Sequence, residues 1–172
     1  MKRLIPVVFV LGAGVVFNNG AAAEPTRLRI FADRIPINAR DRVAKAYGIP
    51  PKHFAALEQV ESRGFNNLTR TEKHLQKRWA KLAGRGWTAK QLATSYGPMQ
   101  VLGIHYRDKG YLPKDTSNRL LNYELAAWYL SKCKEREATW AAAFLRWNGG
   151  GNKKYPVLIA RELKKLNQRR NG

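Results

Sequence analysis

Two stretches decide how this chain reads: Val60-Glu61-Ser62-Arg63-Gly64 and Ser95-Tyr96-Gly97-Pro98-Met99-Gln100. Ahead of the first, Pro51 suits a first helical position, and Phe54, Leu57 and Glu61 follow at helical spacing on one face. Gly64 is the natural C-terminal cap. Glu61 therefore falls in the last helical turn, where the negative end of the helix dipole favours a neutral carboxyl group. An apolar face works in the same direction by desolvation, and Arg63 or Arg70 would oppose it on close approach. The second stretch reads as a glycine turn opening another helix, with Pro98 in its first turn and a polar tip. Met99, Leu102 and Tyr106 supply that helix's apolar face.

Outward from these, helical spacing covers Asn38 to Tyr47, ended by Gly48. Thr71 to Leu82 reads as a basic amphipathic helix with Leu75, Trp79 and Leu82 on one side. Thr88 to Gln91 matches a capping box. Asn118 to Cys133 carries the broadest apolar stripe (Leu121, Leu125, Trp128, Tyr129), and Thr139 to Trp147 is stopped by Gly149-Gly150-Gly151. Tyr155-Pro156 opens a last helix with Leu158, Ile159, Leu163 and Leu166 facing inward. Residues 24–37 read as a short strand or an extended arm. With no repeat and no low-complexity linker, the expectation is one mainly α domain of about seven helices over residues 38–172, with little or no sheet.

Residues 1–23 have the layout of a secretory signal peptide: basic Lys2 and Arg3, an apolar stretch from Leu4 to Phe17, and small residues Ala21-Ala22-Ala23 before the cleavage point. The apolar run is short of the ~20 residues that a spanning helix needs. The expected location is periplasmic or secreted. The full chain carries a net charge of +20, and loss of Lys2 and Arg3 with the signal leaves +18. Such a charge calls for an acidic partner. Nucleic acid is the usual reading of a pI near 10.6, but export argues against it and favours cell-wall polymers or anionic lipid surfaces. A single cysteine, Cys133, excludes an internal disulfide. His53, His74 and His105 lie on separate segments without a ligand-like spacing, so neither metal nor cofactor is expected.

Of the 12 acidic residues, Asp41, Glu135, Glu137 and Glu162 are flanked by charge and read as solvated. Glu61 follows an apolar turn and precedes Ser62 and a glycine turn, so it is the candidate general acid, against the plainer role of a capping or salt-bridged glutamate.

These residues carry a resemblance. Glu61-Ser62 followed by Gly64-Phe65-Asn66 resembles the catalytic glutamate motif of the soluble lytic transglycosylase and goose-type lysozyme superfamily, whose fold is lysozyme-like. Ser95 to Gln100 is similar to its serine–x–glycine–x–methionine–glutamine segment. Asn122 followed by Ala126-Ala127-Trp128-Tyr129-Leu130 is similar to its third motif, and Arg146-Trp147-Asn148-Gly149-Gly150 to its fourth. The four stand in the family's order. The stretch from Arg70 to Trp79, with Ala93-Thr94-Ser95, also resembles phage-type N-acetylmuramidase domains.

The resemblance implies that Glu61 is the acid/base acting on the bond between N-acetylmuramic acid and N-acetylglucosamine, with a 1,6-anhydro product. Ser62, Ser95, Tyr96, Met99 and Gln100 would line the sugar and acetamido subsites, and Trp147 and Asn148 would help close the cleft. It implies a monomer acting on peptidoglycan glycan strands, and it permits service to an envelope-spanning secretion or conjugation machine. An inverting hydrolase would need a second carboxylate roughly 6.5–9.5 Å away. Glu72 is the preferred candidate, weighed against a helix N-terminal charge; Glu58, read as a surface position, and Asp108 are the others. Trp147 departs from the family's usual tyrosine. If that tyrosine tunes the glutamate, Tyr96 or Tyr123 would have to replace its hydroxyl, and Trp147 becomes a sugar platform or a core aromatic. Two readings from other classes stay open: a catalytically silent wall-binding protein and a cationic membrane-disrupting protein.

Overall fold

The computed structural model describes residues 38–65 and 68–168. Residues 1–23, read from sequence as a signal peptide, residues 24–37, read as an arm, Asn66 of the first motif and Arg169-Arg170 lie outside the described residues. Within them the chain is mainly helical, in the order α1 (Ala39–Ala46), α2 (Pro51–Glu61), β1 (Thr69–Thr71), α3 (Lys73–Trp79), α4 (Ala89–Leu92), β2 (Thr94–Tyr96), β3 (Val101–Leu102), α5 (Gly103–Asp108), α6 (Arg119–Glu135), α7 (Trp140–Trp147) and α8 (Tyr155–Gln168). No described helix is long and apolar enough to cross a membrane.

Local chemistry accounts for most helix ends. Pro51 opens α2, Asn118 caps α6 through the Leu120 and Leu121 amides, Thr139 caps α7, and Thr88 and Gln91 form the reciprocal capping box of α4. The core gathers where α1, α2 and α6 meet, around Val43, Phe54, Leu57, Tyr123 and Leu130, with Ala126 and Ala127 giving the backbone room to approach. Helix α7 adds Phe144, and α8 adds Tyr155 and Ile159. Cys133 is buried in the same core, and that burial pushes its thiol up to about 11.

Three expectations need correction. The segment 71–82 is not one helix: Thr71 pairs with Thr94 in a strand, α3 ends at Trp79, and Leu82 lies in a short 3-10 turn at 42 % exposure. The stretch 95–100 does not open a helix either. Ser95 and Tyr96 belong to β2, and Gly97 to Gln100 make the tight turn into β3, closed by the Gln100 amide on the Gly97 carbonyl at 3.1 Å. Both ends of that turn are left-handed (φ +69° at Gly97, +48° at Gln100), and Thr94 and Tyr96 favour extended backbone, so helical spacing here was coincidental. The result is a three-stranded antiparallel sheet in the order β1-β2-β3. Third, on α8, Leu158 is partly exposed, so the inward face is carried by Ile159, Leu163 and Leu166.

Asn122 of α6 holds the hairpin turn from behind. Its side-chain carbonyl accepts the Met99 amide at 2.9 Å, and its amide donates to the Tyr96 carbonyl and the Tyr106 hydroxyl, both at 2.8 Å. Asn122 is fully buried, so all three partners depend on it. The approach is so close that a Cβ on Gly97 would stand 2.7–2.9 Å from the Asn122 side chain. Gly48 has a similar φ of +66° with nothing within 4 Å of its Cβ position. Gly48→Ala should therefore cost about 1 kcal/mol from backbone strain alone, whereas Gly97→Ala should cost about 1–3 kcal/mol more through overpacking. Urea unfolding of the two variants measures the difference; equal losses would mean that Asn122 does not hold the turn.

Candidate functional site

Glu61 is the last residue of α2. The chain leaves the helix through Ser62 and turns away through Arg63 and Gly64, both left-handed at φ +55° and +82°. Ser62 is buried, and its hydroxyl donates to the Pro98 carbonyl at 2.6 Å while accepting the Gly64 amide at 3.0 Å. One side chain thus ties the end of α2 to the hairpin turn, which sets Glu61 at a fixed position against Ser95 and Gln100.

From the other side, α7 and α8 reach the same carboxylate. They are joined by a reversal at Gly149 and Gly150, where φ of +73° and +77° favours glycine. Trp147 ends α7 and donates its indole N–H to Glu61 Oε1 at 2.8 Å. Tyr155 begins α8 and donates its hydroxyl to the same oxygen. Burial is the main influence on the carboxyl group and raises its pKa above the ordinary 4.5; the hydrogen bonds from Tyr155 and Trp147, and the positive charge of Arg70, act against it. The net effect is a group that holds its proton more readily than a solvated glutamate. Tyr155 is itself pushed far up, first by burial and then by Glu61, so it remains a donor.

Glu61 lines a groove of about 740 Å³ between the sheet and the α7–α8 turn. One wall carries Ser95 and Gln100, with Leu68 and Arg70 at the sheet edge; the opposite wall carries Trp147, Asn148 and Asn152. Gln100 is oriented by its side-chain amide, which donates to the Leu68 and Gly97 carbonyls, both at 2.9 Å. Among the described residues, neither the Ser95 hydroxyl nor the Asn148 side chain has a protein partner. Both are available to a ligand. Aromatic rings continue the floor: His105 packs on Tyr129 at 4.7 Å and Tyr129 on Trp147 at 5.4 Å between centroids. Burial lowers the pKa of His105, with Asp108 opposing, so this ring favours its neutral form.

Glu61, Ser95, Gln100, Trp147, Asn148 and Glu72 all reach the groove. Ser62, Tyr96 and Met99 do not line it: Ser62 is the tie to Pro98, Met99 is fully buried, and the Tyr96 hydroxyl donates to the Gln91 carbonyl at 3.2 Å. Their part is to shape the wall from behind. Neither Tyr96 nor Tyr123 supplies a hydroxyl to Glu61. Tyr155 does, although sequence reading gave it only the start of a helix; it is 94 residues from Glu61, beyond any spacing rule.

The second-carboxylate candidates separate clearly. Glu58 is not a surface residue. It is 3 % exposed, bonded by the Tyr123 hydroxyl at 2.6 Å and ion-paired with Arg40 at 2.9 Å and Arg119 at 3.6 Å. That cluster clips α1 and α6 onto α2. Asp108 pairs with Arg107 beside a separate cavity near Lys81 and Arg85. Glu72 lines the groove, paired with Arg70 and 3.8 Å from the His74 ring, and sits at the N-terminus of α3 without capping it through its side chain. No group of three or more metal-ligating side chains occurs among the described residues.

The sign of the Glu61 shift sets a stability test. A carboxyl group whose folded pKa is raised contributes stability below its ordinary value of 4.5, and that contribution is lost as pH rises through the folded value. Glu61→Gln should therefore match the wild type in acid and become progressively more stable than it toward neutral pH, read as melting temperature against pH. A gap that is flat across this range would mean that residue 61 is not desolvated.

Comparisons with protein-family models, with curated proteins and with solved structures give no match to this chain.

Proposed function

We propose that this protein is an exported enzyme that cleaves the β-1,4 bond between N-acetylmuramic acid and N-acetylglucosamine in peptidoglycan. The observation that carries the reading is Glu61: a carboxyl group that burial makes hold its proton more readily than a solvated glutamate, set in the wall of an open groove, with one oxygen held by two donors. A carboxylic acid that retains its proton is what a glycosidic oxygen needs as its leaving-group acid. The aromatic floor and the unpaired Ser95 and Asn148 suit a sugar chain, which offers apolar ring faces and polar edges.

In the reaction, Glu61 gives its proton to the glycosidic oxygen as the bond from that oxygen to the muramoyl C1 breaks. The cationic C1 is stabilised by the substrate's own N-acetyl group. Glu61, now a carboxylate, takes the proton of the C6 hydroxyl as that oxygen bonds to C1. The product is a 1,6-anhydro ring, no water is consumed, and the enzyme returns to its protonated state. This route needs one carboxylate only, which fits a groove whose other acid, Glu72, is engaged by Arg70. Glu72 favours one alternative: released as a base, it would activate water and make the enzyme a hydrolytic muramidase.

Export rests on the signal-like residues 1–23, and the net charge of +18 that remains after their loss from the +20 of the full chain suits an anionic wall. Incubated with purified peptidoglycan, the wild type should release muropeptides ending in 1,6-anhydromuramic acid by mass spectrometry. Glu61→Gln should lose at least about 10²-fold in release rate. Reducing ends would point to the hydrolytic route, and undiminished release by Glu61→Gln would remove Glu61 from the chemistry. Retention on wall preparations should weaken as salt rises from about 0.05 to about 0.5 M; salt-independent retention would mean that charge does not drive it.

A further inference from the structure

The two donors to Glu61 converge on the same oxygen. A carboxyl oxygen has two acceptor directions, and at Oε1 one is taken by the Trp147 indole and the other by the Tyr155 hydroxyl. The Trp147 indole nitrogen can only donate, and the Tyr155 hydroxyl, which can donate or accept, contacts the same oxygen. Among the described residues Oε2 has no hydrogen-bond partner, and Glu61 lines the groove.

We infer that Trp147 is a positioning residue that, with Tyr155, fills Oε1 and thereby confines the acid proton to Oε2, the oxygen that faces the substrate. This deepens the proposed function and rests on it for its catalytic meaning, while the proton placement itself stands on the geometry of the free protein. The neutral acid then has a single orientation, with Oε1 as its carbonyl and Oε2–H directed at the groove. After proton transfer, the charge is shared with an oxygen already held by two donors, so no group has to rotate to stabilise it. Without those donors, burial alone would leave Glu61 a weaker acid. Trp147 also lines the groove and packs on Tyr129, so its ring can meet a sugar while its N–H is committed to the carboxylate.

The titratable groups around Glu61 are Tyr155 on α8, which bonds it, Arg70 on β1, whose charge acts on it, and Glu72 and His74 at the start of α3, His105 on α5 and Tyr129 on α6, which line the same groove. All of them remain in Trp147→Phe, which keeps an aromatic ring, removes the N–H donor and leaves a smaller side chain. The test is an NMR titration of the Glu61 side-chain carboxyl carbon in wild type, Trp147→Phe and Tyr155→Phe, alongside the Trp147 indole proton in the wild type. The Glu61 midpoint should move to higher pH by roughly one unit in Trp147→Phe, the size expected for loss of one charge-assisted hydrogen bond. Turnover requires the protonated acid, so the alkaline limb of kcat/KM should move up with it. A residue that only packs would lower kcat/KM equally at all pH values.

In the wild type, which needs no substitution, the indole proton should titrate with Glu61 and stay hydrogen-bonded on both sides of the transition. Loss of that bond below the Glu61 midpoint would put the proton on Oε1 and overturn the proposal, as would an unmoved midpoint in Trp147→Phe. If these resonances behave as stated but peptidoglycan is not cleaved, the proton placement stands and the enzymatic reading fails.

Discussion

Taking one carboxyl group out of bulk water at the end of a helix is the constraint around which this molecule is built. Glu61 sits where both the dipole of α2 and desolvation favour the uncharged form. A group so placed is destabilising whenever it ionises, and it persists only where neighbouring elements over-determine its position. Here Ser62 ties it to the hairpin, while Trp147 and Tyr155 close on it from α7 and α8. Those two helices reach it because Gly149 and Gly150 let the chain reverse between them. Ile159 and Phe144 in turn anchor α8 and α7 in the core. The site is therefore a meeting of helix ends and one hairpin, each fixed by core packing behind it.

Glu58 shows what the same helix does with a carboxylate that has no part in the groove. It stands three residues before Glu61, deeply buried, with two guanidinium groups and a phenol around it. Breaking such a cluster is costly because it strands a charge, even though its net contribution to stability is small. Among the described residues, Glu61 has no guanidinium in ion-pair contact and only neutral donors on one oxygen. Two glutamates one turn apart thus have different surroundings, set by partners that come from distant parts of the chain. The polar wall follows the same logic: Asn122 fills the space behind Gly97, and Ser95 and Gln100 are presented forward.

How much of this was legible in the sequence follows from the range of the forces involved. Helix ends were readable because capping is local: Pro51, Thr88, Asn118 and Thr139 each act within a turn of their own position. Glu61 was readable because its spacing to Phe54 and Leu57 places it on an apolar face. The hairpin was misread because Pro98, Met99, Leu102 and Tyr106 mimic helical spacing, and only left-handed backbone at Gly97 and Gln100, held by Asn122, overrides that pattern. Tyr155 and the burial of Glu58 were not readable at all. Each is defined by a partner many residues away, and no periodicity encodes which of several tyrosines reaches which of several carboxylates.

The central claim is that the groove beside Glu61 receives a glycan strand with one bond at that carboxyl group. The most direct measurement is a crystal structure of Glu61→Gln with an oligosaccharide of β-1,4-linked N-acetylated sugars. Density should run along the groove, with a glycosidic oxygen within hydrogen-bonding distance of residue 61 and ring or acetamido contacts to Trp147, Ser95 and Asn148. Sugar bound away from the groove, or a groove empty under saturating oligosaccharide, would contradict it.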